Sequence, residues 1–101
     1  METFIYVISG DMAGPCKIGF SNNPEKRLRQ LQTGHPAKLF LHHTQGFPED
    51  RARLMEQIIH KTIRPFRLKG EWFKIDVASA IAEIEFALIR YGDEPNLRYF
   101  V

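Results

Sequence analysis

Apolar and polar positions along this chain switch between two periods, and the switches mark the elements. Thr3 to Ser9 is β-branched and aromatic, the composition of a largely buried strand. Gly10 to Pro15 is turn chemistry. Cys16 to Phe20 reads as a second strand, which predicts a hairpin with a loop longer than the tightest kind. Asn22 or Asn23 then caps a helix, with Pro24 in its first turn and Glu25 near its positive end. That helix runs to about Thr33 and stops at Gly34, ahead of Pro36. Its apolar stripe is narrow (Leu28 and Leu31), and Lys26, Arg27 and Arg29 occupy the rest.

Lys38 to Thr44 predicts a third strand, ended by Gln45-Gly46-Phe47-Pro48. A second helix starts at Pro48-Glu49-Asp50, with acids where the macrodipole favours them, and ends at Pro65. Leu54, Met55, Ile58, Ile59, Thr62 and Ile63 form its buried face. At about 100° per residue Glu56 lies just beyond that stripe, so it borders the core and does not point freely outward. Gly70 to Ile75 predicts a short strand or extended segment. Asp76 caps a third helix with amphipathic spacing at Ala80, Ile81, Ile84, Ala87, Leu88 and Tyr91. The tail from Gly92 to Val101 is expected to dock through Tyr99 and Phe100. The expected architecture is α+β: a small three-stranded antiparallel sheet flanked by three helices, in a single domain over residues 1–101.

Composition narrows the class. With 101 residues, 44 % apolar and 26 % charged, the chain is of a size and balance suited to one soluble domain. The single Cys16 excludes an internal disulfide framework and fits a reducing compartment. No apolar run approaches the ~18 residues of a membrane span, and Glu2 stands where a secretory signal would be basic. These features predict a cytoplasmic protein with no membrane partner. A net charge of +2 names no ligand, but its distribution is uneven. Lys17, Lys26, Arg27 and Arg29 cluster early, and Lys61, Arg64, Arg67, Lys69 and Lys74 form a second group. Asp76, Glu83, Glu85, Asp93 and Glu94 reverse the sign. Such segregation suits an anionic ligand on one face.

Four pieces in order then point to a family. Phe4-Ile5-Tyr6-Val7-Ile8, Lys17-Ile18-Gly19-Phe20-Ser21, the helix start Glu25-Lys26-Arg27-Leu28 and the helix segment Leu54 to His60 resemble the GIY-YIG nuclease superfamily. The resemblance is to its phage and bacterial T5orf172 / meiotically up-regulated gene 113 branch, where Lys-Ile-Gly replaces Tyr-Ile-Gly and a Gly-Glu-Trp-Phe follows, as at Gly70 to Phe73. The motif core covers about residues 3–75, with a C-terminal helix over about 76–91 and a tail over 92–101. The resemblance implies a DNA endonuclease using one Mg²⁺ or Mn²⁺. It makes Tyr6 a base or relay for the attacking water, Arg27 the ligand of the scissile phosphate and Glu56 the metal ligand. Lys17 stands where many members have a second Tyr, and His60 is a further site residue on the face of Glu56. Two positions depart from the pattern: Phe4 replaces a Gly, and no Asn follows the acidic helix near Pro65 to Leu68.

Physical chemistry supports those residue types. Phosphodiester hydrolysis needs charge on the non-bridging oxygens, a deprotonated water and a stabilised leaving group. A guanidinium fork matches phosphate oxygens. Mg²⁺ keeps several waters, so one carboxylate and the substrate suffice as further ligands. A free phenol, with a pKa of about 10, is a weak base at neutral pH. A nearby Lys17 ammonium is expected to lower that value; a neutral Lys17 would serve as the base instead. Lys26, Arg29, Arg64 and Lys69 are candidate DNA contacts. Taken singly, Tyr6 reads as core, Arg27 as a solvated charge, Lys17 as an edge charge and Glu56 as an i,i+4 partner of His60. The adjacent His42 and His43 argue against a joint metal site, Cys16 reads as structural, and Trp72 and Phe73 as core or rim.

Two further readings stand beside the nuclease. One is a nucleic-acid-binding module, on DNA or RNA, that does not cleave; the missing Asn and the Lys in place of Tyr motivate it. The other is a protein-interaction effector, supported only by the tail. A protein partner supplying specificity is expected in the nuclease reading. All of it requires that the head groups of residues 6, 17, 27 and 56 share one solvent-reachable hollow.

Overall fold

The structure, a computed structural model, describes residues 2–101, apart from the side chain of Glu49. In chain order its elements are β1 (Glu2–Ser9), β2 (Cys16–Ser21), α1 (Pro24–Thr33), β3 (Phe40–Pro48), α2 (Glu49–Thr62), β4 (Arg67–Lys69), β5 (Trp72–Phe73) and α3 (Val77–Tyr91). Single 3₁₀ turns at Arg64–Phe66 and Leu97–Phe100 complete it. The sheet is antiparallel with order β3-β1-β2-β5-β4.

Five strands therefore stand where three were expected. The extra pair, β4 and β5, is three and two residues long, too short to show a period of two in the sequence. Gly70 makes their tight connection possible at φ +58, a conformation that costs a glycine little. The third strand also runs further than Thr44, through Gln45 to Pro48. β1 offers it a partner along its whole length, Glu2 opposite Pro48 and Ser9 opposite Phe40, with a bulge at His42. Phe47 is buried as a result.

Alternation along β1 sorts the core into two layers. Ile5, Val7 and Ile18 face α2 and α3, joining Met55, Ile58, Ile59, Ile63, Ala80 and Ile84. Tyr6, Ile8 and Leu39 face the other way, under Leu28 and Leu31 of α1 with Trp72 at the rim. Both expected caps are present: Asn23 accepts from Lys26 N–H and Asp76 from Ser79 N–H. In the tail it is Leu97 that is buried. Phe100 packs on Tyr91 at 5.1 Å, and Tyr99 is exposed, contrary to its expected docking.

Candidate functional site

The site forms where the short β5 leaves the edge of β2 open. β5 pairs only with Cys16 and Lys17 of β2, and one further bond, Ile18 N–H to the Glu71 carbonyl at 3.0 Å, ends the contact. Beyond it Gly19 and Phe20 have no strand partner on that side among the described residues. Here a carboxylate from the α2 layer and a phenol from the α1 layer reach the same place.

Gly19 lies opposite Tyr6 in the β1–β2 register, and its missing side chain is what admits them. A Cβ there would lie 2.5 Å from the Tyr6 hydroxyl and 2.6 Å from Glu71 Oε1. The Gly70 turn and the Ile18 bond hold Glu71 in that position. Lys17, two residues back on the same strand face, places Nζ 3.4 Å from Glu71 Oε1. Glu56 lies near enough for the Glu71 charge to act on its carboxyl group, and its Oε1 stands 4.0 Å from His60 Nδ1. Its second oxygen, Oε2, is buried without a hydrogen-bond partner among the described residues. Arg27, half-buried on α1, acts on the Tyr6 hydroxyl through its charge and a loose contact that falls short of a full hydrogen bond.

The electrostatics follow from burial. Tyr6 is wholly buried and its pKa is pushed up to about 12, by desolvation first and Glu71 second, with Arg27 pulling the other way. This corrects the expectation that Lys17 lowers the phenol: the Lys17 ammonium is engaged with Glu71, and the cation acting on Tyr6 is Arg27. Glu56, only 7 % exposed, is raised to about 8 by desolvation and then by the like charge of Glu71, with Phe20 N–H and Lys17 opposing. His60 donates from Nε2 to the Ile18 carbonyl at 2.6 Å, and burial lowers its pKa. Its Nδ1 stands 4.0 Å from Glu56 Oε1. It therefore ties α2 to β2 as a neutral imidazole.

Tyr6, Lys17, Arg27, Glu56 and His60 gather around Gly19 and Glu71, but the solvent-reachable hollow required of them is closed, since Tyr6 and Glu56 are buried. Glu71, with its side chain 35 % exposed, is more open to solvent than Lys17 or Glu56, and Tyr6 lies wholly beneath the surface. Among the candidate DNA contacts, Arg64 lines a groove of about 390 Å³ beside His60 and Glu71, together with Lys61 and Arg67. Lys26 and Arg29 are exposed on α1, the helix of Arg27, and Lys69 is exposed on β4 opposite Trp72. Trp72 is a rim residue, stacked on His35 at 5.8 Å with Lys17 Nζ 5.8 Å from its ring centre. A larger groove between α2 and α3, about 520 Å³, is lined largely by Ile58, Ile59, Phe86 and Ala87 and holds none of these groups.

Sequence reasoning missed Glu71 as a site residue. The signal was present, in a carboxylate beside a glycine between two predicted extended pieces, but only the two-residue turn shows that it folds back over Gly19. Among the described residues no group of three or more His, Cys, Asp or Glu side chains is arranged to hold a metal ion. No helix there is long and apolar enough to cross a membrane.

A strand pair bearing phenol and ammonium, one helix bearing arginine and another bearing glutamate form the layout of a GIY-YIG-like domain. The chain belongs to the T5orf172 domain family, whose model matches residues 3–88. Comparison with curated proteins and with solved structures returned no match.

Proposed function

We propose that this protein is a metal-dependent DNA endonuclease whose active site is the cluster around Gly19. The observation that carries this reading is the meeting of the Tyr6 hydroxyl, the Lys17–Glu71 pair, Arg27 and Glu56 at one open strand edge. Glu56 fits a divalent cation: its Oε2 is buried with no hydrogen-bond partner among the described residues, and ionising a carboxyl at that depth calls for a counter-charge. Mg²⁺ or Mn²⁺ held there would supply positive charge to a non-bridging phosphate oxygen and offset the carboxylate repulsion on the phenol.

The remaining chemistry belongs to side chains. Arg27 holds the scissile phosphate through its planar fork and stabilises the charge that grows on it. Lys17 adds a second cation once a phosphate competes for it with Glu71. Tyr6 orients the attacking water and takes or relays its proton, which requires Glu71 to swing aside from the hydroxyl. His60 is a positioning residue that fixes Glu56 against β2. The exposed Lys26, Arg29, Arg64 and Lys69 supply sequence-independent contacts to the backbone of the DNA, and a protein partner supplies specificity.

One observation favours a second reading, a nucleic-acid-binding module without cleavage: Tyr6 is fully buried and its phenol is pushed up to about 12. Nicking of supercoiled and branched DNA with Mg²⁺ or Mn²⁺ separates the two. Cleavage by the wild type that falls about 100-fold or more in both Glu56→Gln and Arg27→Ala supports the enzyme. Salt-sensitive binding without nicking under either ion leaves the binding module.

A further inference from the structure

We infer that Glu71 is a second carboxylate ligand, so that the divalent cation sits between Glu56 and Glu71 at the open edge of β2. This rests on the nuclease reading for its purpose but on separate observations for its geometry. Glu71 is held in place by its backbone, through the Gly70 turn at φ +58 and the bond from Ile18 N–H to its carbonyl. Its Oε1 shares the Gly19 gap with the Tyr6 hydroxyl. Glu56 reaches the same strand position from the other layer: its Oε1 stands 4.0 Å from Nδ1 of His60, the ring that donates to the Ile18 carbonyl, and its Oε2 is buried with no hydrogen-bond partner among the described residues.

Two carboxylates held this close repel each other unless something positive stands between them. The Lys17 ammonium pairs directly with Glu71 Oε1 and acts on Glu56 only through its charge, and Glu56 Oε2 has no hydrogen-bond partner among the described residues. A hard divalent ion takes carboxylate oxygens and keeps its remaining positions for water and phosphate, and two acidic oxygens at a partly open edge meet that need. In taking the cation Glu71 trades away its contact with Lys17, so cation binding, release of the Lys17 ammonium toward substrate and opening of the route to Tyr6 become one event.

Mn²⁺ binding to the full chain without DNA, followed by the loss of the free-ion electron paramagnetic resonance signal, tests this. Wild type, Glu56→Gln, Glu71→Gln, Glu71→Asp and Lys17→Met are compared, each checked for folding by thermal melting and for nicking on the same preparation. Both glutamine variants are expected to weaken Mn²⁺ binding by about tenfold or more, Glu71→Asp to bind more tightly than Glu71→Gln, and Lys17→Met to bind at least as tightly as wild type. Wild-type affinity in Glu71→Gln, or no saturable Mn²⁺ binding by the wild type, overturns the assignment. If the wild type nicks DNA while Glu71→Gln binds Mn²⁺ normally, only the role of Glu71 falls. If Mn²⁺ binding depends on both glutamates and no DNA is cut, the paired site stands and the nuclease reading falls.

Discussion

At Gly19 a hydrogen atom takes the place a methyl group would occupy, and the site depends on that difference. Gly19→Ala would press its Cβ on the buried Tyr6 ring and hydroxyl; only Glu71 has a free end that can yield. Overpacking of this kind costs about 1–3 kcal/mol, to be read from urea unfolding, and nicking is expected to vanish with it. Tyr6→Phe should behave in the opposite way. It removes a buried hydroxyl that has no hydrogen-bond partner, so stability should be unchanged or up to about 1 kcal/mol higher while nicking falls about 100-fold or more. Glu56 carries a pH signature. Its folded value of about 8 lies above the ordinary 4.5, so the native state binds the extra proton between those limits. Stability is then highest below about pH 4.5 in this respect and is lost as pH rises toward 8. Denaturation curves in chelator should show that fall in the wild type and not in Glu56→Gln, and divalent ion should restore the wild type at high pH.

At the scale of elements, β1, β2 and the three helices were legible because each is long enough to display its period and carries its own end signals. Asn23, Asp76 and Pro24 mark helix starts by chemistry that acts within one turn. What the chain did not display is what depends on a distant partner. Residues 45–48 look like a strand terminator, yet β1 extends β3 through them; β4 and β5 have no period to read. That second omission hid Glu71, because its position over Gly19 follows from a two-residue turn and one bond to Ile18. Motif order named Tyr6, Lys17, Arg27 and Glu56 as candidates, but not the burial that drives the phenol up instead of down. The α1 cap gives a direct check on how Arg27 is held. Asn23→Ala should cost about 1 kcal/mol in chemical denaturation and lower nicking modestly, since α1 still packs through Leu28 and Leu31.

Across the whole molecule, the sheet separates an α1 layer that carries Tyr6 and Arg27 from an α2–α3 layer that carries Glu56 and His60, and the open end of β2 is where the two meet. Basic side chains lie on α1, in the groove beside His60 and on β4; in the proposed reading they offer the DNA backbone several cations without a sequence code. Removing Lys26, Arg29 and Arg64 together should therefore flatten the dependence of log Kd on log salt by roughly 0.9 for each phosphate no longer neutralised. Fluorescence anisotropy across several DNA sequences measures this, with similar weakening expected for all of them. Five side chains from four elements and one turn acting as a unit is the central claim. Its most direct test is single-turnover nicking by the wild type, Arg27→Ala, Glu56→Gln and the double variant, with DNA saturating and Mn²⁺ present. The double variant is expected to be no slower than the slower single variant within a few-fold, as for residues that serve one transition state. Losses that multiply in the double variant, or a wild type that leaves every DNA intact, would contradict it.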